Sequence, residues 1–242
     1  MTLYIIGIGL WDEEDITVKG LEAVKRCKNV YLESYTSKLD CSVADLEKSY
    51  GKKIILADRE LVEKKAEDTI LKDAENDDTA FLVIGDAMAA TTHIDLVMRA
   101  KEKGIKVDVV HNASVITAVG VVGLELYKYG KITSIPFENK NVKTPVEVLK
   151  MNRKNGLHTL FLLDLHPSED KYMNVKEAAE YLIINKINKD EICVCCAGLG
   201  SPSPEILKSS LSEVKELKLY PQCLIIPGKL HFMEEDALKQ WG

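Results

Sequence analysis

The chain of 242 residues is 46% hydrophobic and 29% charged and carries a net charge of −6, which excludes a disordered polymer and argues against a broad nucleic-acid-binding face. It is long enough to bury the cores of two compact domains, while no apolar run reaches the roughly 20 residues of a membrane helix. The N-terminus enters an apolar strand directly, without a basic segment and leader-type stretch, so a cytoplasmic location with no membrane contact is expected.

Apolar runs of strand length fall at residues 3–8, 30–32, 54–56, 81–84 and 107–110, with helical patterns between most of them. That rhythm predicts a parallel sheet with crossover helices. Thr17 is placed to cap a first helix with Val18, Leu21 and Val24 inward, and a later helix follows Thr91 and Thr92 with Ile94, Val97 and Met98 inward. A second series gives strands at 131–135, 159–163, 192–197 and 223–226, and helices near 146–153, 175–187 and 204–218. The fold class expected is α/β, as two α/β domains with mainly parallel sheets, divided into residues 1–112 and 113–242.

The opening segment "GIGLWDEEDIT" tests a nucleotide-binding reading. A dinucleotide fingerprint needs a third glycine and a helix that starts at once, so that pyrophosphate meets free N–H groups. Here Asp12 holds the third position and Glu13, Glu14 and Asp15 follow, so an anion would be repelled. Gly7 and Gly9 are equally explained by a tight turn.

Three further strand ends carry polar residues. In "FLVIGDAMAATTH", Gly85 permits close approach of a ligand, and Asp86 either accepts from a hydroxyl, faces a cation or caps the next helix. In "VVHNASVITAVG", His111 has no second metal ligand at a suitable spacing, and Ser114 lacks the glycines of a nucleophile elbow, so both read as hydrogen-bonding groups. The segments "FLLDLHPSED" and "IIPGKLHFMEED" add Asp164, Leu165, His166, Gly228 and His231. The chain has six cysteines, Cys27, Cys41, Cys193, Cys195, Cys196 and Cys223. Most lie in apolar runs, and the Cys-x-x-Cys of 193–196 falls inside one, so reduced core thiols are expected and no metal is.

Together "GIGLWDEEDIT", "GDAMAATTH", "HNASVITAVG" and "IIPGKLH" resemble the signature segments of the diphthine synthase family, the methyltransferases of diphthamide biosynthesis. The wider tetrapyrrole-methylase-like group is similar only in its N-terminal Gly-x-Gly and Gly-Asp segments. The resemblance implies a homodimer of two-domain α/β chains that binds S-adenosylmethionine in the cleft between its domains and releases S-adenosylhomocysteine. It implies a cofactor site lined by Leu10, Asp86, Ala89, Ser114, Val115, Leu165, Ile206 and His231, of which Ile206 rests on spacing alone. No catalytic residue is assigned by it.

A cationic sulfonium without phosphate tolerates an acidic loop, which answers why four acids follow the opening glycines. The implied substrate is the 2-(3-amino-3-carboxypropyl)histidine of translation elongation factor 2, trimethylated on nitrogen; the alternative is a tetrapyrrole of the precorrin type. Two departures from the family pattern are Ala87, where proline is common, and Ala89, where valine is, which predicts a looser turn and a smaller pocket wall.

Overall fold

A computed structural model describes residues 1–242, which divide into two compact units, Met1–Val115 and Ile116–Gly242. In the first, β1 (Thr2–Gly7), β2 (Asn29–Glu33), β3 (Ile55–Ala57), β4 (Thr79–Val83) and β5 (Lys106–Val110) form a sheet in the order β3-β2-β4-β1-β5. Every pairing in it is parallel. The crossovers are α1 (Val18–Arg26), α2 (Val43–Tyr50), α3 (Arg59–Lys64), α4 (Ile70–Asn76) and α5 (Ile94–Glu102).

Leu3, Ile5 and Phe81 face one apolar cluster, and Ile6, Ile8, Val30 and Leu32 face the other. Burial on both faces explains why these strands read as unbroken apolar runs. Because all five strands are parallel, their carboxyl ends share one edge of the sheet. The segments that begin at Ile8, Ser34, Ile84 and His111 all leave from that edge.

Two helical faces differ from expectation. Thr17 does cap α1, its hydroxyl accepting from Gly20 N–H at 3.0 Å, but the buried residues are Gly20, Ala23 and Val24 while Val18 is 81% exposed. A Cβ on Gly20 would stand 3.0 Å from the Ile6 side chain, so α1 approaches the sheet through its small residues. In α5 the inward residues are Leu96, Val97 and Ala100, while Ile94 and Met98 are exposed. Buried His93 completes the row 93, 96, 97, 100 at helical spacing, and that row, not Ile94–Val97–Met98, meets the core.

The second unit starts within the short helix α6 (Val115–Ala118). Its strands are β6 (Thr133–Ile135), β7 (Thr159–Leu163), β8 (Leu165–His166), β9 (Lys171–Tyr172), β10 (Ile192–Ala197), β11 (Glu205–Ser210) and β12 (Gln222–Ile226). The main sheet runs β11-β10-β12-β7-β6, packed by α7 (Thr144–Lys154) and α8 (Val175–Ile184), with α9 (Phe232–Leu238) near the C-terminus. The α/β class holds here, but within this main sheet only β6 and β7 pair in parallel and the other three pairings are antiparallel, as is the separate β8–β9 pair. This corrects the expectation of mainly parallel sheets for the second domain.

The helix expected near 204–218 is absent, because Glu205–Ser210 forms β11. Ile206 lies opposite Cys196 and Leu207 opposite Cys195, while Leu211 and Val214 reach the core from the turn that follows. Long-range pairing thus overrides an apolar spacing that reads as helical. Five of the six cysteines are buried and Cys41 is half-buried. Burial pushes the Cys27 thiol up to about 11, which keeps it protonated.

Candidate functional site

The carboxyl edge of the first sheet is built around glycine and carboxylate contacts. Gly9, at φ +90°, pairs with Gly85, at φ +86°: Gly85 N–H donates to Gly9 O at 2.6 Å and Gly9 N–H to Gly85 O at 3.3 Å. A Cβ on Gly7 would lie 2.6 Å from Gly85 O, and one on Gly9 would lie 2.2 Å from Asp15 Cβ. Both positions therefore need glycine to close the two strand ends together.

Asp15 answers the question posed by the acidic loop. Its Oδ2 accepts from Leu10 N–H at 2.9 Å and Trp11 N–H at 2.7 Å, and Asp12 accepts from Glu14 N–H at 3.0 Å. The backbone donors that a phosphate would need are taken by the loop's own carboxylates. With those donors occupied the loop has none to offer a pyrophosphate, while its carboxylates tolerate a phosphate-free, positively charged ligand.

Asp86 leaves β4 and accepts three hydrogen bonds, from Met88 N–H, Asn112 N–H and His111 Nδ1–H, each at 2.9 Å. Burial alone would raise its carboxyl, but the two backbone donors and His111 outweigh that and hold it below the usual carboxylate range. Asn112 then ties the edge together. Its Nδ2 donates to Gly7 O and Asp15 O, both at 3.0 Å, and its Oδ1 accepts from Ala113 N–H at 2.7 Å. Ser114 is buried, Val115 begins α6, and Ala89 lies half-buried in the turn that precedes α5. Ala87 is fully buried in the core beneath that turn.

Leu10, Asp86, Ala89, Ser114 and Val115 thus come from segments that leave one sheet edge, Val115 at the start of α6. Leu165, Ile206 and His231 belong to the second unit and to three separate elements: Leu165 opens β8, Ile206 lies on the edge strand β11, and His231 caps α9. The "PGKLH" segment is held from below. Gly228 N–H donates to His158 Nδ1 at 2.9 Å, Lys229 O accepts from Lys128 Nζ at 2.9 Å, and His231 N–H donates to Glu234 Oε2 at 2.8 Å. His158 Nε2–H also donates to Glu234 at 2.9 Å, which fixes the imidazole as a neutral tautomer.

Sequence reasoning passed over Asn112, which sat inside a quoted motif with no charge to mark it. It also missed Glu33, fully buried at the end of β2. No group of three His, Cys, Asp or Glu side chains is arranged to hold a metal ion, and no helix is long and apolar enough to cross a membrane.

Comparison with known proteins adds relatives along the full chain. The family of Tetrapyrrole (Corrin/Porphyrin) Methylases matches residues 2–215. The human diphthine methyl ester synthase is 42% identical, covering 98% of this chain and 93% of its own length. The Dictyostelium discoideum diphthine methyl ester synthase is 40% identical over 98% of this chain and 96% of its own. A crystal structure of a diphthine synthase superposes with a TM-score of 0.94 at 36% identity, covering 100% of this chain and 96% of the other.

Proposed function

The chain belongs to the diphthine synthases within the tetrapyrrole methylases, and we propose that it methylates the 2-(3-amino-3-carboxypropyl)histidine of translation elongation factor 2. The observation that carries this reading is the likeness to diphthine methyl ester synthases over 98% of the chain. The self-capped acidic loop supports it, since its N–H donors are already taken by Asp15 and leave none for a nucleotide phosphate, which a cationic, phosphate-free cofactor does not need. S-adenosylmethionine supplies an electrophilic methyl group on a sulfonium.

Leu10, Asp86, Ala89, Ser114 and Val115 of the first unit would hold that cofactor, together with Leu165, Ile206 and His231 of the second. Asp86 is pinned by three donors and keeps its charge, so it offers a fixed carboxylate without reorganisation. The chain's remaining task is alignment: an amine and a methyl donor held in line react without a covalent enzyme intermediate. Each nitrogen methylation releases one proton, three for the full series from ammonium to trimethylammonium. Three transfers to nitrogen give diphthine, and the names of the relatives favour a further transfer to a carboxylate oxygen, which releases none. A polyanionic tetrapyrrole is the weaker substrate beside Asp12, Glu13 and Glu14. The reading includes action in the cytoplasm, where the elongation factor works, and a homodimer.

The test is transfer of label from S-adenosylmethionine to elongation factor 2 that already carries the aminocarboxypropyl group. Label is expected in the factor, with an alkali-labile fraction from the ester and an alkali-stable fraction from nitrogen. Label in a precorrin and none in the factor would overturn the assignment. Asp86→Ala should weaken cofactor binding by about 1–3 kcal/mol in calorimetry, and unchanged affinity would leave Asp86 as a turn cap only.

A further inference from the structure

The first sheet carries one carboxylate with no role in the site described above. Glu33 is the last residue of β2 and is 0% exposed, although it stands at the carboxyl edge from which the Gly7–Gly9 and Asp86 segments leave. Its Oε2 accepts from the Thr36 hydroxyl at 2.5 Å and its Oε1 from Tyr35 N–H at 3.2 Å. Thr36 is itself exposed, so this hydroxyl connects the buried carboxylate to the surface.

The segment that contains Thr36 is joined to the acidic loop. Asp40 N–H donates to Trp11 O at 2.7 Å, and the Glu13 carboxylate lies near enough to Cys41 to add to the rise of its thiol caused first by burial. Local hydrogen bonds from neutral donors do not require a charge, and an asparagine, serine or glutamine would accept them at a lower desolvation cost. A buried carboxylate at this edge asks for a chemical reason.

We propose that Thr36 and Glu33 form the proton exit for nitrogen methylation, Thr36 Oγ1 taking the proton from the substrate ammonium while its own hydroxyl proton passes to Glu33 Oε2. The step leaves a neutral amine, a Thr36 hydroxyl and a protonated Glu33, and the Glu33 proton is then lost to solvent by the same route. This inference rests on the proposed substrate being a protein-borne amine. Transfer to a carboxylate oxygen needs no proton exit and does not use the pair.

The surroundings of Glu33 suit a proton acceptor. Burial pushes its carboxyl above the ordinary range, against the hydrogen bonds from Thr36 and Tyr35 and the charge of Arg59 on α3. Tyr35, which stacks under the Arg59 guanidinium at 5.2 Å, also feels Glu63 of α3. From the sheet, Ala57 of β3 pairs with Glu33, and Leu82 of β4 with the preceding Leu32, so neither adds a charge. A raised carboxyl is a better match for proton transfer near neutral pH than an ordinary one.

The experiment follows methylation of the modified elongation factor 2 by mass spectrometry from pH 6 to about 10, the region where an alkylammonium loses its own proton. Wild type, Glu33→Gln, Thr36→Ala and Thr36→Ser are compared with calorimetric affinity for S-adenosylmethionine as the reference. Glu33→Gln is expected to slow nitrogen methylation by about 100-fold at neutral pH, with the deficit closing as the free amine forms at high pH. Thr36→Ala should behave alike, Thr36→Ser should restore the rate, and ester formation on a trimethylated substrate and cofactor affinity should be unchanged in all three. A deficit equal at every pH, or equal for nitrogen and oxygen, would overturn the proposal in favour of a structural Glu33. So would normal rates in Thr36→Ala, a variant at an exposed position that leaves Glu33 and its hydrogen bond from Tyr35 N–H in place. If wild type adds no methyl to the factor, the proposed function fails first and the proton exit with it.

Discussion

A buried imidazole without a partner costs little while neutral and a great deal when charged, and His93 is such a group. It is 2% exposed, neither ring nitrogen has a hydrogen-bond partner, and its ring packs edge-on against Phe81. Burial, opposed only weakly by the nearby Ala87 backbone, which does not reach hydrogen-bonding geometry with either nitrogen, pushes its pKa from 6.5 down to about 4. The unfolded chain takes up a proton below pH 6.5 that the folded chain refuses, so this contribution is complete above pH 6.5 and is lost as pH falls through about 4. Its size is about 3 kcal/mol. Glu33 is shifted upward and has the opposite sign, gaining stability as pH falls, so the wild-type curve mixes the two. The difference in unfolding free energy between wild type and His93→Leu isolates the histidine, and it should change by that amount between pH 7 and pH 4; a constant difference would show that His93 titrates normally. His93 was not singled out from the sequence, because nothing in "ATTH" marks a histidine as part of an apolar row. Gly7 and Gly9 were legible as turn glycines, whereas the reason for Gly9, close approach of Asp15, depends on where the loop returns.

At the level of elements, α9 and the segment before it show how a short helix is fixed by a buried charge. Glu234 is 1% exposed and accepts from Glu125 N–H, His231 N–H, His158 Nε2–H and the Lys128 ammonium. Burial works to raise its carboxyl, yet Lys128 and the other three donors outweigh it and hold the pKa at about 2, below the ordinary 4.5. A depressed carboxyl stabilises the fold above its unfolded value and loses that contribution as pH falls from 4.5 through about 2. Glu234→Gln should therefore lower stability by about 3 kcal/mol at pH 7, with the gap to wild type narrowing below pH 4.5. A gap that persists unchanged at pH 2 would assign the loss to packing. The strands of the first unit were readable because a parallel sheet covered on both faces makes unbroken apolar runs. β11 was not, since an edge strand with Lys208, Ser209 and Ser210 has the composition of an exposed helix, and only its pairing with β10 identifies it. The hydrogen bonds that bind Gly228 to His158 and His158 to Glu234 were likewise invisible, because partners 70 and 76 residues apart leave no local pattern.

Across the whole molecule the charge is modest, −6 over 242 residues, so any electrostatic steering must come from local placement and not from net charge. The α/β class was readable from the strand rhythm, while the antiparallel pairings of the second sheet were not, because an apolar run such as Thr159–Leu163 fits a buried strand of either direction. The acidic loop is where residue and field meet. Asp15 faces inward onto Leu10 and Trp11 N–H, so it belongs to the loop's architecture, whereas Glu14 is exposed and Asp12 and Glu13 are half-exposed. If the substrate is an ammonium carried on another protein, those three outer carboxylates attract it over about one Debye length, roughly 10 Å at 0.1 M salt. Replacing Asp12, Glu13 and Glu14 together by their amides, with Asp15 kept, should slow methylation of the modified elongation factor severalfold at low salt and make little difference at high salt. Cofactor affinity should stay the same, because the Leu10 and Trp11 donors remain satisfied by Asp15. The rate of the wild-type enzyme should itself fall as salt rises, toward that of the triple variant. A triple variant that is as fast as wild type at low salt would mean that the outer acids do not guide the substrate, and a loss of cofactor affinity would place them in the cofactor site instead.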